Sequence, residues 1–426
     1  MSKNIINALP ELIAEGLLSD ETSEKIKAYY KQKELKQPQR INVVFGIIGS
    51  ILVGLGIILI VAHNWDELSR PLKIIFSFGP LVIGQLLCGY VLLKKQGNTT
   101  WKESSATFLF FAVGASLALV AQVYNIPGNL AGFLFTWMLL CVPLIYIMPS
   151  SITSLLYLTG ITVYGVEDGY GYRAADAYHY WWLLLLAIPH YLMLIKKRPN
   201  SNFTFFHHWV LPVSLTVCLG TLSGNQEEYM TLAYMSMFGA FYLLGVSNWF
   251  SFKRIISNGY LVIGSLGTMS ILLALSFKGF WDALAYERDA LSMSELLAII
   301  VPSVLAVFLL FQTIRNRGNQ PINPMGFIFV LFMGIFFIGL SAPALGAILM
   351  NLLVLAAAIF TMQRGQTLNH LGVLNYGLLI IAVLVVCRFF DTDISFVIRG
   401  LLFVAVGAGF FFANSRLLKK KKQHEQ

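Results

Sequence analysis

Charged side chains are scarce in this chain, at 12% of 426 residues, against about 25% in ordinary soluble domains. Acids are the fewer, 21 Asp and Glu against 30 Lys and Arg, and none falls in the middle of an apolar run. Proton- or sodium-coupled carriers commonly use an intramembrane acid, so this absence argues against them and leaves facilitators and lipid carriers open. Cysteine is rare. Cys88, Cys141, Cys218 and Cys387 all lie inside apolar runs, and none forms a C-x-x-C pair. They read as small buried hydrophobes, and neither a disulfide framework nor a zinc site is expected. The H-E-x-x-H, G-x-S-x-G and G-x-x-x-x-G-K-[ST] patterns are missing. The histidines (63, 179, 190, 207, 208, 370 and 424) show no metal-ligand spacing along a helix. No enzyme activity, metal, nucleotide or other cofactor is therefore expected.

What the chain has in abundance is apolar sequence, 57% of its residues with a mean hydropathy of +0.70. These residues arrive in blocks at 41–62, 72–93, 105–124, 130–148, 150–166, 180–195, 206–223, 230–249, 257–277, 294–314, 324–340, 343–362, 370–388 and 394–414. A helix needs about 20 apolar residues to cross a bilayer. The expectation is an all-α polytopic transmembrane bundle of about 14 helices. The +9 net charge does not point to nucleic acid, because the basic residues sit in short loops between blocks and at the two ends. With the N-terminus inside, alternation puts most of the 30 Lys and Arg in inner segments, as the positive-inside rule requires. Both termini are then cytoplasmic, and the polar start, with no cleavage site after the first block, predicts a retained signal anchor. Trp65, Tyr124, Tyr180, Trp181, Trp182, Trp209, Trp249 and Trp281 lie at block ends, where amphipathic rings favour the membrane interface.

Residues 1–40 read as a cytoplasmic helical head. Leu9 to Leu18 predicts a short helix with Pro10 in its first turn, and Ser19 caps a second helix that opens with Asp20 and Glu21. The remainder divides into a first membrane unit at 41–195, two linking helices at 196–256, a second unit at 257–414 and a basic tail at 415–426. Trp65-Asp66-Glu67-Leu68 recurs as Trp281-Asp282-Ala283-Leu284, and Pro127 falls on Pro343 at the same offset. Such correspondences predict a parallel repeat in a 6+2+6 plan, and paired interrupted helices point to a transporter's binding region. Small residues recur at Gly46, Ser50 and Gly54 and at Ala405, Gly409 and Ala413, spacings that allow close helix contact.

Three polar groups are candidate ligand-binding sites. His63, Asn64, Trp65 and Asp66 end the first block. Gln122, Tyr124 and Asn125 end the third, and the expected topology puts both groups on the outer face. Together they offer imidazole, amide, carboxylate, indole and phenol groups suited to a polar headgroup or sugar, or to anchoring two helices at the interface. The third group is Arg388, Asp391, Asp393 and Arg399. A charge at Arg399, inside the last block, needs a partner, a cavity or a snorkelling route, and Asp391 or Asp393 is its natural partner.

The first 165 or so positions resemble a family of bacterial predicted membrane proteins known only as a domain of unknown function. The resemblance rests on the head turn Gly16-Leu17-Leu18-Ser19, on Asn64-Trp65 at the end of the first block, on the run Ala121 to Gly128, and on Trp137 in the next block. Asn125 stands where members often have His, which speaks against a metal role there. The resemblance implies a bacterial inner-membrane protein and no particular activity. The leading expectation is a carrier or flippase-like binder of a polar or amphipathic envelope molecule. Its partners would be membrane lipids, a small-molecule or lipid-linked substrate and a cytoplasmic protein at the head. One alternative is a non-transporting sensor or scaffold. Another is an intramembrane transferase, for which Asp66 and His63 are the candidate catalytic groups.

Overall fold

The computed structural model describes residues 9–13, 15–36, 65, 67–171, 178–224, 227–247, 257–284, 290–316, 324–391 and parts of 395–408. All regular structure among them is helical. Two compact units form, residues 1–76 and 77–426.

In the first unit a helical turn at 9–13 is followed by α1, Asp20–Lys36. Gly16 takes a positive φ of 67°. Around it the Leu17 N–H reaches Leu12 O at 3.0 Å and the Gly16 N–H reaches Ile13 O at 3.0 Å, the paired bonds of a Schellman stop. Three residues later the Ser19 Oγ accepts from the Thr22 N–H at 3.3 Å and starts α1. The Gly16-Leu17-Leu18-Ser19 signature is thus a helix stop followed by a helix start, as the sequence predicts for Ser19.

The second unit follows the apolar blocks. α2 is Arg70–Lys94, α3 Thr99–Val123, α4 Leu130–Ile147, α5 Ser151–Val166, α6 His179–Lys197, α7 Asn202–Leu219, α8 Met230–Val246, α9 Gly259–Ala274, α10 Lys278–Leu284, α11 Met293–Asn316, α12 Ile328–Ser341, α13 Pro343–Thr367 and α14 Leu371–Phe389. The block at 41–62 lies outside the described residues and that at 394–414 largely does; helices stand at all the others. The small-residue stripes at 46–54 and 405–413 likewise fall on residues not described. Eight described helices are long and apolar enough to cross a membrane, or nine if α9 and α10, bent by 83° at their junction, count as one span. Their outward faces are apolar. On α11, Val301, Val304, Phe308 and Phe311 are exposed while Ala298 and Ala306 are buried. Large residues outside and small ones inside suit lipid, which solvates the former while the latter let helices approach. This is a polytopic membrane protein.

Side chains start most of these helices. Asn98, Asn129, Ser150, Ser201 and Asn258 each accept a backbone N–H three residues on, satisfying donors that a helix start leaves open. Glu103 adds a cap across helices. It is buried in the first turns of α3 and accepts from the Ser150 hydroxyl, the Ser151 N–H at 3.1 Å and the Ile152 N–H at 3.0 Å. Its negative charge suits the N-terminus of α5. Glu103→Ala is expected to destabilise the protein by about 1–3 kcal/mol, since buried donors lose their acceptor. Denaturant titration in detergent measures this, and Glu103→Gln, which keeps an acceptor oxygen, should recover part of it.

Two apolar clusters share α8. Met230, Met237, Phe238 and Phe241 belong to one that extends through α4–α7. Leu232, Met235, Ala240 and Leu243 belong to the other, with α11–α14. A helix apolar on every side is buried on every side, and α8 packs into both clusters. Glycines let backbones meet around it. At Gly264 of α9 a Cβ would sit 2.6 Å from the Tyr242 N of α8.

Aromatics at block ends divide. Trp182 and Tyr124 are exposed, as interfacial residues should be, whereas Tyr180 and Trp281 are buried. The Tyr180 hydroxyl shares a hydrogen bond with Ser214 at 2.7 Å, so its burial leaves no unmet polar group.

Candidate functional site

A cavity of about 530 Å³ lies among α8, α9, α13 and α14, within the usual size range of small-molecule sites. Leu261, Val262, Leu266, Met325 and Val373 make its wall mostly apolar. Its polar groups come from four helices. Arg364, in the last turn of α13, donates from Nη1 to the Tyr242 hydroxyl of α8 at 3.0 Å. Ser265 of α9 donates to the Tyr376 hydroxyl of α14 at 3.1 Å. Arg364 is half-buried, and no carboxylate pairs with it among the described residues.

The local backbone explains why a guanidinium and a helix start meet here. Asn369 takes φ 49°. The His370 N–H reaches Gly365 O at 2.9 Å and the Asn369 N–H reaches Gln366 O at 3.1 Å, a second Schellman stop. The chain then reverses at once into α14, where the His370 ring accepts the Val373 N–H at 3.3 Å. The N–H groups of Leu371 and Gly372 have no backbone or side-chain acceptor among the described residues, and Gly372 lines the cavity.

A second polar station stands at the other end of the same helices. Between α9 and α10 the turn 275–277 frees carbonyls, and side chains take them up. The Trp281 indole donates to Leu275 O at 2.7 Å, and the Asn351 amide of α13 donates to Ser276 O at 2.8 Å. Arg388 of α14 donates to the Ser276 hydroxyl at 3.0 Å, lies 4.4 Å from the Phe277 ring centroid and forms an ion pair with Asp391. A buried polar cluster also joins α6, α7 and α9. The Tyr191 hydroxyl meets His208 Nδ1 at 2.7 Å and the Tyr260 hydroxyl at 2.9 Å, and His207 meets Ser154 at 3.1 Å. His190 beside them has no hydrogen-bond partner for either ring nitrogen among the described residues. Among the described residues no group of three or more His, Cys, Asp or Glu is arranged to hold a metal.

Of the residues picked out from the sequence, His63, Asn64, Asp66, Asp393 and Arg399 lie outside the described residues. Trp65 is buried, with the Lys73 ammonium 5.8 Å from its ring centroid. Gln122, Tyr124 and Asn125 are exposed at the end of α3. Asn125 takes φ 51°, the Ile126 N–H reaches Ala121 O at 2.9 Å and the Asn125 N–H reaches Gln122 O at 3.4 Å. The Ala121 to Gly128 motif is therefore a third Schellman stop, with Asn at the left-handed position and Pro127 barring continuation. Arg388 and Asp391 do come together as an ion pair, while the pairing expected for Arg399 falls on residues outside those described.

These motifs carry the family resemblance, and it holds. Residues 10–154 match the family described as "Predicted membrane protein (DUF2157)", a domain of unknown function. No curated protein and no solved structure shows a significant match to the chain. The DUF2157 stretch covers the head and α2–α4 and ends at the start of α5. The cavity and the α9–α10 break lie beyond it. Sequence reasoning missed Arg364, Tyr242, Ser265 and Tyr376. Each is an ordinary residue near a helix end, and only packing assembles them.

Proposed function

We propose that this membrane protein is a carrier of an amphipathic molecule of the bacterial inner membrane, and that the cavity beside Arg364 holds the cargo. The observation that carries the reading is an apolar cavity fitted with a small set of convergent polar groups, the usual make-up of a ligand site. A carrier also needs a second station. Arg364 and Arg388 stand at opposite ends of the α13–α14 hairpin, and α14 alone spans about 27 Å by helical rise, close to one hydrocarbon thickness. The break between α9 and α10 supports the same reading, since interrupted helices often border transporter binding sites.

The test is leaflet exchange in proteoliposomes, using a fluorescent mono-oleoyl amphiphile whose outer-leaflet pool is quenched chemically. The full chain should speed exchange, and Val262→Trp and Val373→Trp, which fill the cavity from opposite walls, should each abolish the gain. Exchange equal to that of empty liposomes, or undiminished in both folded variants, rules the carrier out. The scaffold alternative would then gain ground, with the helical head, where Leu17 is 73% exposed, as its contact surface.

A further inference from the structure

We infer that the cargo site is selective for anions: its ligand is a single-chain amphiphile with a carboxylate or phosphate head, held by the Arg364 guanidinium and the N-terminus of α14. This rests on the cavity being the binding site, as proposed above, and adds the chemical class of the ligand.

Three features bear on one cavity, which Arg364 and Gly372 both line. The first is the charge of Arg364. Among the described residues its hydrogen-bond partner is the neutral Tyr242 hydroxyl, so most of its five donors remain for a ligand. A half-buried cation beside an apolar cavity calls for an anion, because desolvation without a partner is costly. The Tyr242 bond fixes the direction of one nitrogen and so orients the fork. The second feature is the start of α14. The N–H groups of Leu371 and Gly372 have no acceptor among the described residues. Free N–H groups and the positive end of the helix dipole favour an anion there. The third is that, among the described residues, none that lines the cavity is Asp or Glu.

The remaining wall sets the other half of the ligand. Leu261, Val262, Leu266, Leu368 and Val373 form a surface suited to an acyl chain. Ser265 and Tyr376 already bond each other and place no further charge in the cavity. A free inorganic anion would satisfy the guanidinium and leave this apolar volume unfilled. A two-chain phospholipid would have to leave one chain outside. The fitting occupant has one head and one chain.

Arg364 is also placed as a topological residue would be. It sits in the last turn of α13, where a cation complements the helix dipole. The experiment must separate that role from ligand selection. The purified full chain in neutral detergent is titrated with oleate, oleoyl-lysophosphatidate, mono-oleoyl glycerol and inorganic phosphate, following intrinsic fluorescence and thermal shift. The wild type should bind the two anionic amphiphiles at least about 10-fold more tightly than the neutral one, the size expected of one charge-assisted contact. Phosphate alone should bind far more weakly than oleoyl-lysophosphatidate. Arg364→Gln should erase the preference by weakening the two anionic amphiphiles far more than mono-oleoyl glycerol, and Arg364→Lys should restore part of it, keeping the charge and losing the fork. Val262→Trp should weaken all three amphiphiles together.

Equal affinity for neutral and anionic amphiphiles overturns the inference and leaves the cavity reading standing. So does a preference that survives Arg364→Gln, or an Arg364→Gln that weakens all amphiphiles alike, which marks a purely structural arginine. Inorganic phosphate binding as tightly as oleoyl-lysophosphatidate overturns the amphiphile. If no amphiphile binds, the inference falls together with the cavity as a ligand site.

Discussion

Trp281→Ala is expected to destabilise the protein by about 3 kcal/mol, the low end of the usual range for emptying a buried Trp site. Trp281 is fully buried on the short helix α10. Its ring lies between Gly339 of α12 and Gly346 of α13, where an added Cβ would collide with it. Those two glycines also let the backbones of α12 and α13 approach, since a Cβ on Gly346 would sit 2.6 Å from the Gly339 Cα. Alanine would leave a void that rigid backbones cannot close. It would also orphan Leu275 O, which the indole N–H satisfies at the helix break. In lipid the transfer part of the usual penalty shrinks, because acyl chains are as apolar as the core. Lost contacts and the lost hydrogen bond remain. Equilibrium unfolding in mixed micelles reads the effect, and Trp281→Phe, which keeps most of the ring and drops the N–H, should fall between. A loss below about 1 kcal/mol for alanine would mean that the α9–α10 corner is held by something other than this ring.

The second large effect is expected at Arg388 and Asp391. Their side chains are 14% and 7% exposed and form an ion pair, and Arg388 Nε has no hydrogen-bond partner among the described residues. Removing one partner strands a charge away from water. Asp391→Leu is therefore expected to cost about 3–5 kcal/mol, and Arg388→Met a similar amount. The double variant should cost much less than the two together, since a buried pair replaced by apolar residues can be nearly neutral. The double-mutant cycle isolates that coupling. The contrast is Lys278–Asp282, 3.7 Å apart and about half exposed, where Asp282→Asn should change stability by less than about 1 kcal/mol. Additive losses at Arg388 and Asp391 would show that the pair acts as two independent residues. They would also remove the second station from the carrier reading.

Helix identity and position were legible because they depend on local rules. A run of about 20 apolar residues can satisfy its backbone in lipid only as a helix, and the described helices stand at the apolar blocks. Punctuation was legible in the same way. Ser19 caps α1 as read from its neighbours, and Pro343 stands at the first turn of α13, where its missing N–H costs nothing. The runs Gly16 to Ser19 and Ala121 to Gly128, both within the stretch that matches DUF2157, were visible as motifs before their physical meaning was. Both are places where a helix must stop.

The rotation of each helix was not legible. In water an amphipathic stripe tells which face turns inward. In lipid both faces are apolar, so Trp281 reads as an interface anchor until packing shows it buried. The pairing of Asp391 with Arg388 depends on the same packing, for Arg388 is held by Ser276, 112 residues away. The cavity depends on it most. Tyr242, Ser265, Arg364 and Tyr376 lie on four helices, and the Arg364–Tyr242 bond spans 122 residues. The amino-acid sequence by itself determined a helical membrane protein and its helix ends, because those follow from hydrogen bonding within a few residues. Only the tertiary structure decided which charges meet and which residues line the cavity, because nearly uniform apolar helices carry no local mark of the face they turn toward one another.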